Sequence, residues 1–278
     1  MAGLVWEKDA EKELKRVPFF IRSFVRKKVE ERVEKFQGKS VVCLADFKEA
    51  EAHFRSVRGD KSESELRAMM PVENQPGVKM VIIETCHNKL SNCPNVLIDT
   101  DEWRKALEDW ARENDISERI RARIKNDKIY YHHKFRISIS GCPNACSRPQ
   151  ICEVGIVGTV KPELYPDDCT FCGKCEKACP DLAIRVDNCP PVFDFSACLG
   201  CKKCFEACRN WCIKLSKPRA KLLMGGKLGR HPHLGQIVAE VSTPLDLLSI
   251  IDSALNTYLE NGREDERFSD FWIRNFKT

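Results

Sequence analysis

FRISISGCPNACSRPQ, residues 135–150, decides how this chain folds. Phe135, Ile137 and Ile139 alternate with Arg136, Ser138 and Ser140. That is the period-two pattern of a strand with one buried and one exposed face. Gly141 turns the chain, and two thiols come next at C-x3-C spacing, Cys142 and Cys146. Neither has a C-x-x-C partner. A second loose pair, Cys86 and Cys93, comes after VKMVIIET, which ends at Thr85 and reads as a buried strand. Both pairs carry the tripeptide CPN, at 93–95 and at 142–144. A C-x3-C taken alone reads as two buried structural thiols. Two strand-end loops with two thiols each can instead converge on one [4Fe-4S] cluster.

Outward from this stretch, 278 residues suffice for one large domain or two to three smaller ones, with a core that needs no disulfides. Of sixteen cysteines, thirteen lie between Cys142 and Cys212. The N-terminus, MAGLVWEKDAEK, brings charges before an apolar run can form, and no run reaches the length of a membrane span. A cytoplasmic, reducing location is therefore expected, where dense cysteines read as metal ligands. The net charge of +5 comes from 46 basic and 41 acidic residues without a basic stripe. It argues against nucleic acid and suits an anionic substrate or an acidic electron-transfer partner.

Residues 1–57 read as helical. Leu14, Val17, Ile21, Val25, Val29, Val33 and Phe36 recur at helical spacing. Pro18 ends a first helix near Arg16, a second runs from about Phe19 to Gln37 with Gly38 as its stop, and Asp46 caps a third. Arg22, Arg26, Lys27 and Lys28 read as a solvated face. Residues 58–77, with Pro71, Pro76 and Gly77, read as a linker. Helices are expected around Trp103, Leu107 and Trp110 and around Ile116, Ile120 and Ile124. EVGIVGTV, AKLLMGG and QIVAEV read as strands. Thr243, Pro244 and Gly262 mark the cap, first residue and stop of a long helix. Strands flank residues 163–217 on both sides, so that block reads as an insertion between 78–162 and 218–278 of an α/β domain.

Within the block, Cys169, Cys172, Cys175 and Cys179 obey C-x2-C-x2-C-x3-C, with Pro180 next. Cys198, Cys201, Cys204 and Cys208 repeat the spacing, with Arg209 in place of the proline. Zinc sites prefer C-x2-C pairs separated by a longer loop. Three closely spaced cysteines wrap one iron–sulfur cube, and the fourth cannot reach the same cube; in two-cluster ferredoxins it ligates the other. Cys169, Cys172, Cys175 and Cys208 are thus assigned to one [4Fe-4S] cluster, and Cys198, Cys201, Cys204 and Cys179 to a second. The block resembles a bacterial-type two-cluster ferredoxin, which implies one-electron transfer. Cys43, Cys152, Cys189 and Cys212 read as small buried residues or spare thiols. His132, His133, His231 and His233 read as surface or packing residues.

Cys86 and Cys93, KFRISISGCPNAC and EVGIVG together resemble the iron–sulfur/sirohaem domain of the sulfite and nitrite reductase family. That resemblance implies a [4Fe-4S] cluster on Cys86, Cys93, Cys142 and Cys146, with Cys146 also bridging to sirohaem or a related tetrapyrrole. It implies that Lys134 and Arg136, on the strand before the cysteines, face a small anionic substrate. GGKLGRHPHLG, the helix from Pro244 and ERFSDFWIRN are similar to the tail of ferredoxin-containing anaerobic sulfite reductase subunits. WEKDAEKELKRVPFFIRSFVRKKVEERVE is similar to the small C-terminal domain of a light-independent protochlorophyllide reductase subunit. The expected fold is α/β (α+β): a sulfite-reductase-like iron–sulfur domain, an inserted ferredoxin and a small N-terminal helical domain.

The expected function is a sulfite/nitrite-reductase-type oxidoreductase. Electrons pass from a donor protein through two ferredoxin clusters to a third, three [4Fe-4S] clusters in all. In that family a ferredoxin-like half domain completes the tetrapyrrole pocket, and residues 1–77 are too short and too helical to be it. A partner subunit or a homo-oligomer is expected to supply it. The alternative is a haem-free electron-transfer subunit feeding a partner reductase.

Overall fold

In the computed structural model, which describes residues 4–58, 70–187 and 189–276, the chain forms two units divided between Met70 and Pro71. The first holds three helices, α1 (Lys8–Arg16), α2 (Phe19–Arg32) and α3 (Leu44–Arg58). Strands β1 (Val5–Trp6) and β2 (Val41–Val42) pair in parallel beside them. Pro18 stands between α1 and α2, as its missing amide hydrogen requires. A π-helical turn, Val33–Gln37, extends α2 to Gly38, whose φ of 61° lets the chain leave the helix. Trp6, Ala10, Leu14, Val29, Val33, Val42 and Phe47 form the core of this unit.

Two expectations for this unit are corrected. Asp46 does not precede α3 but sits in its first turn, where its carboxylate accepts the Cys43 amide hydrogen at 2.9 Å. This is the reach-back half of a capping box, in which an acid in the first turn satisfies the amide at the cap. Nor are all four basic residues of α2 simply solvated. Arg22 donates to the Lys15 and Val17 carbonyls, and Arg26 bonds Glu30 and lies 5.3 Å from the Trp6 ring centre.

The second unit is built on a five-stranded sheet. Its strands are β3 (Val81–Thr85), β4 (Phe135–Ser140), β5 (Val154–Thr159), β8 (Arg219–Met224) and β9 (Gln236–Val241). The spatial order is β9-β8-β5-β4-β3. The β3–β4 and β4–β5 pairs are parallel; β5–β8 and β8–β9 are antiparallel. Between β5 and β8, the short strands β6 (Pro162–Leu164) and β7 (Ile213–Leu215) pair antiparallel, and two five-residue helices lie between them, α6 (Lys174–Ala178) and α7 (Lys203–Ala207).

Helices α4 (Thr100–Glu113), α5 (Ile116–Arg121), α8 (Pro244–Asn261) and α9 (Phe268–Asn275) contribute to one core with the sheet. Trp103, Leu107, Leu247, Ile251, Leu255 and Phe271 meet Ile137, Ile139, Ile156, Leu222 and Met224 there. Each side chain of this kind contributes roughly 1.5–3 kcal/mol when fully buried. Thr243 caps α8, accepting from the Asp246 amide at 3.2 Å. Part of the expected linker is held in place: Val72–Glu73 pairs with Lys128–Ile129, and Asn74 donates to the Ile124 carbonyl at 2.7 Å. Residues 59–69 of that stretch lie outside the described residues.

The half-exposed strand expected at 135–140 is buried on both faces. Ser138 and Ser140 are 0% and 1% exposed. The connection from β4 to β5 explains this. Parallel neighbours need a long crossover, usually a helix. Here residues 141–153 cross instead as a loop, carrying Cys142 and Cys146 over the polar face of β4. Ser138 Oγ donates to the Ser147 carbonyl at 2.7 Å, the Ser140 and Ser147 hydroxyls meet at 2.7 Å, and Ser147 Oγ donates to the Ile139 carbonyl at 2.8 Å. At the end of the loop, the buried Glu153 carboxylate accepts from Arg136 at 3.0 Å and from Arg267 at 2.8 Å. The apolar alternation was legible; the polar side chains are buried because a loop supplies every one of them with a partner.

Two outcomes are expected. Glu153→Ala strands two largely buried guanidinium groups, and breaking such a pair from one side costs about 3–5 kcal/mol, measurable by chemical denaturation. An unchanged midpoint would remove Glu153 from its structural role. Asp46→Ala is expected to cost about 1 kcal/mol. Burial raises the Asp46 carboxyl, but the Cys43 hydrogen bonds and Lys39 outweigh it and hold the group at about 2, below its ordinary 3.8. The wild-type advantage is therefore full above the ordinary aspartate range and disappears as pH falls through about 2. Urea unfolding of the helical signal for both proteins between about pH 2 and pH 6 measures it.

Candidate metal centres

Parallel strands end side by side, so the loops that leave them are brought together at one edge of the sheet, where open α/β sheets commonly carry their sites. β3 runs directly into Cys86 and β4 into Gly141 and Cys142. The Cys86 amide donates to the Ile139 carbonyl at 2.9 Å, extending the strand pairing by one residue. The Gly141 amide in turn donates to Cys86 Sγ at 3.3 Å, and the Gly141 carbonyl accepts from Leu97 at 2.8 Å. The 86–93 loop is closed by the Cys93 amide on the Asn88 carbonyl at 2.8 Å. Gly158 of β5 lets the Gly141 loop approach: a Cβ there would lie 2.4 Å from the Gly141 carbonyl oxygen.

The four thiols Cys86, Cys93, Cys142 and Cys146 are consequently neighbours. Burial pushes the Cys142 thiol up, and the sulfurs of Cys93, Cys146 and Cys86 push it the same way. Cys146 is exposed, and the Asn144 amide group donates to its sulfur at 2.9 Å. Cys152, at the far end of the same loop, is buried, and burial pushes it up to about 11. It points to the Arg148 carbonyl at 3.8 Å and has the character of a packing residue.

The remaining assigned cysteines gather in two further groups. A cavity is lined by Cys169, Cys172, Cys175 and Cys208, and by Cys212. Burial raises the Cys175 thiol, with Cys169 and Cys208 adding to the effect. The other group is Cys179, Cys198, Cys201 and Cys204. Burial pushes Cys204 up to about 12, reinforced by Cys198 and Cys201, and Cys198 is raised by burial, then by Cys201 and Cys179. Thiols held protonated in this way must release protons when a metal binds, so loading is pH-dependent. Among the described residues, no three His, Cys, Asp or Glu side chains are arranged to hold a single metal ion.

Several contacts join the Cys198–Cys201 loop to the sheet domain. Lys202 Nζ donates to the Pro94 carbonyl at 2.7 Å and Lys203 Nζ to Asn95 Oδ1 at 3.0 Å, so the loop meets the segment just after Cys93. The Leu199 carbonyl accepts from Thr159 Oγ1 at 3.0 Å and the Gly200 carbonyl from Val160 at 3.2 Å. Gly200 has φ +78°, and a Cβ on it would fall 2.2 Å from Thr159 Oγ1. The twin lysines after Cys201, Lys202 and Lys203, make this contact, and nothing in their local sequence points to it.

The basic pair lies elsewhere. Lys134 precedes β4 and the cysteines come after it, so about 20 Å of strand separates them at roughly 3.3 Å per residue. Lys134 is buried, and burial and Lys79 hold its ammonium below its usual range. It lines a cavity with His132, His133, Glu153, Tyr258 and Arg267. Arg136 bonds Glu153 and the Ile151 carbonyl, the latter at 2.8 Å. An anion facing either side chain belongs beside the start of β4, away from Cys146. The exposed cation of the 141–153 loop itself is Arg148, two residues beyond Cys146.

No described helix is long and apolar enough to cross a membrane. Residues 6–50 match the family model of the proto-chlorophyllide reductase 57 kD subunit. The chain is 30% identical over 176 residues to the coenzyme F420-dependent sulfite reductase of Methanocaldococcus jannaschii, which covers 63% of this chain and 26% of that protein. It is 36% identical over 60 residues to an anaerobic sulfite reductase subunit of Salmonella typhimurium, 21% of this chain and 18% of that protein. Among solved structures, dissimilatory sulfite reductase I is similar, with a TM-score of 0.49 and 15% identity over 84% of this chain and 56% of that one. The chain thus spans about a quarter of the length of the methanogen protein. Residues 79–274 match the model of the nitrite and sulphite reductase 4Fe-4S domain, and with that match over more than half its length the chain belongs to this family.

Proposed function

We propose that this protein is an iron–sulfur oxidoreductase that passes electrons singly through three [4Fe-4S] clusters towards a small oxyanion, sulfite or nitrite. The observation that carries the reading is the meeting of Cys86, Cys93, Cys142 and Cys146 at the ends of two parallel strands, with a second cysteine group docked against the same loop. In the proposal, Cys86, Cys93, Cys142 and Cys146 hold one cluster. Cys169, Cys172, Cys175 and Cys208 hold another, and Cys198, Cys201, Cys204 and Cys179 the third. The block at 163–217 acts as the inserted ferredoxin of the domain formed by 78–162 and 218–278, and 1–57 as a helical docking domain.

The contacts support one order of electron flow. The cluster at Cys198, Cys201, Cys204 and Cys179 lies next to the Cys93–Asn95 segment, so it delivers electrons to the sheet-domain cluster. The cluster at Cys169, Cys172, Cys175 and Cys208 receives them from a donor protein. N–H groups of Gly141 and Asn144 point at the sulfurs of Cys86 and Cys146 and stabilise their negative charge.

Cys146 is also proposed to reach a sirohaem or related tetrapyrrole, which when bound supplies the site at which the anion is reduced. This chain presents that thiol on an exposed surface, so a partner subunit or second copy is proposed to close the other side. Arg148 is assigned the first neutralising contact with the anion; Lys134 adds positive potential from the far end of β4, and Arg136, paired with Glu153, holds that end of the strand in place. The same exposure of Cys146 favours one alternative, a haem-free subunit that hands electrons directly to a partner reductase.

Anaerobic purification of the full chain separates these readings. Three cubes give about twelve iron and twelve labile sulfide per chain. About eight would mean that the Cys86/Cys142 site holds no cluster. Sharp visible bands from a tetrapyrrole, together with about one iron per chain beyond the twelve that match labile sulfide, support the first reading. Their absence at full iron loading, with partner present, leaves the electron-transfer subunit. Thr159→Val is expected to slow reduction of the sheet-domain cluster by dithionite-reduced donor while leaving the iron content unchanged, since it removes the Thr159–Leu199 hydrogen bond without altering a cysteine loop. An unaltered rate would remove that contact from the electron path. For the anion, Arg148→Gln is expected to raise KM about tenfold, equal to about 1.4 kcal/mol, and Lys134→Met less.

A further inference from the structure

The two halves of the cysteine-rich block are built alike, and one position that is buried in both carries a different residue in each. Each contains a short helix, α6 or α7, entered through a left-handed residue, Gly173 at φ 67° or Lys202 at φ 63°. After each helix the fourth cysteine bonds back to it at 3.1 Å, Cys179 to the Glu176 carbonyl and Cys208 to the Phe205 carbonyl. The next turn is also shared. Leu182 and Trp211 take φ of 52° and 56°, and their amides approach the Cys179 and Cys208 carbonyls at 3.4 Å. The residue after this turn is therefore equivalent in the two halves and is buried in both. It is Ala183 in the first and Cys212 in the second, 1% and 4% exposed.

Alanine offers no ligand atom. Cys212 places its Sγ 3.2 Å from Cys208 Sγ. Its thiol also meets that of Cys169, and it helps to line the cavity bounded by Cys169, Cys172, Cys175 and Cys208. Five thiols therefore surround the space assigned to a cluster that needs four.

We propose that Cys212 is a reserve ligand for this cluster, interchangeable with Cys208 at a single iron. The proposal rests on the reading of the block as a two-cluster ferredoxin. With the two sulfurs in contact, a shift between side-chain rotamers brings either one to the same coordination position. The exchange is redox-neutral. An Fe–S bond forms to Cys212 as its thiol gives up a proton, the Fe–S bond to Cys208 breaks, and that sulfur takes up a proton. Both ligands are thiolates, so the iron keeps its soft sulfur donors. The other cluster has no such reserve, because Ala183 stands at the matching position. The swap leaves the cluster whole where loss of a ligand would release an iron.

The test compares C208A, C212A, C208A/C212A and C179A with the wild type, each as the full chain purified anaerobically. Iron, labile sulfide and the electron paramagnetic resonance spectrum are read on each. C212A is expected to match the wild type in iron. C208A is expected to keep the wild-type iron with an altered spectrum, while C208A/C212A and C179A each lose iron. If C208A loses as much iron as C208A/C212A, Cys212 is not a ligand in reserve. If C179A keeps all its iron, the ferredoxin assignment itself is wrong and the proposal falls with it. Should C208A fail to fold, C208S against C208S/C212A gives the same comparison: equal iron loss in both overturns the proposal, and loss only in the double variant supports it.

Discussion

The parallel pairing of β3 with β4 is the constraint on which the candidate centre depends. Val81 to Thr85 run alongside Phe135 to Ile139 in register, so two loops some fifty residues apart in sequence begin at the same edge of the sheet. Antiparallel pairing would place Cys86 and Cys142 at opposite ends of the ladder. The Cys86 amide on the Ile139 carbonyl and the Gly141 amide on the Cys86 sulfur continue this pairing beyond the strands and set the first thiol of each loop.

The second constraint is the missing crossover helix between β4 and β5. A loop that covers a sheet face must satisfy its own backbone and every polar side chain it buries. Ser138, Ser140 and Ser147 do this near Cys146, and Glu153 with Arg136 and Arg267 does it at the far end. The consequence is a thiol loop whose buried polar side chains are all hydrogen-bonded, near Cys146 by residues of β4 and at the far end by Arg136 and Arg267. The buried ion pair also redirects Arg136 from the solvent to the frame of the fold.

Much of this was legible in the sequence where local chemistry decides. Pro18, Gly38, Thr243 and Gly262 mark helix ends because each acts on its own backbone. The apolar alternation of Phe135, Ile137 and Ile139 locates a core strand because period two is a property of the extended chain. The polar alternation misleads, because exposure depends on which segment crosses the strand. Ser138 and Ser140 read as solvent-facing, and nothing local reveals the Ser147 turn above them. Lys134 and Arg136 stand near the cysteines in sequence, yet an extended strand turns that nearness into distance. Cys212 read as a spare thiol, since only the turn at Trp211 brings its sulfur back to Cys208.

By itself the sequence determined the elements of the α/β fold and the family to which residues 79–274 belong, because spacing, capping and periodicity are written in neighbouring residues. The tertiary structure decided which thiols are neighbours, which cations are already neutralised, and which cysteine group abuts the Cys93 segment. Those outcomes depend on strand direction and on close approach at Gly158 and Gly200, where a side chain would not fit. Such contacts join residues far apart along the chain, and their geometry exists only once the sheet has formed.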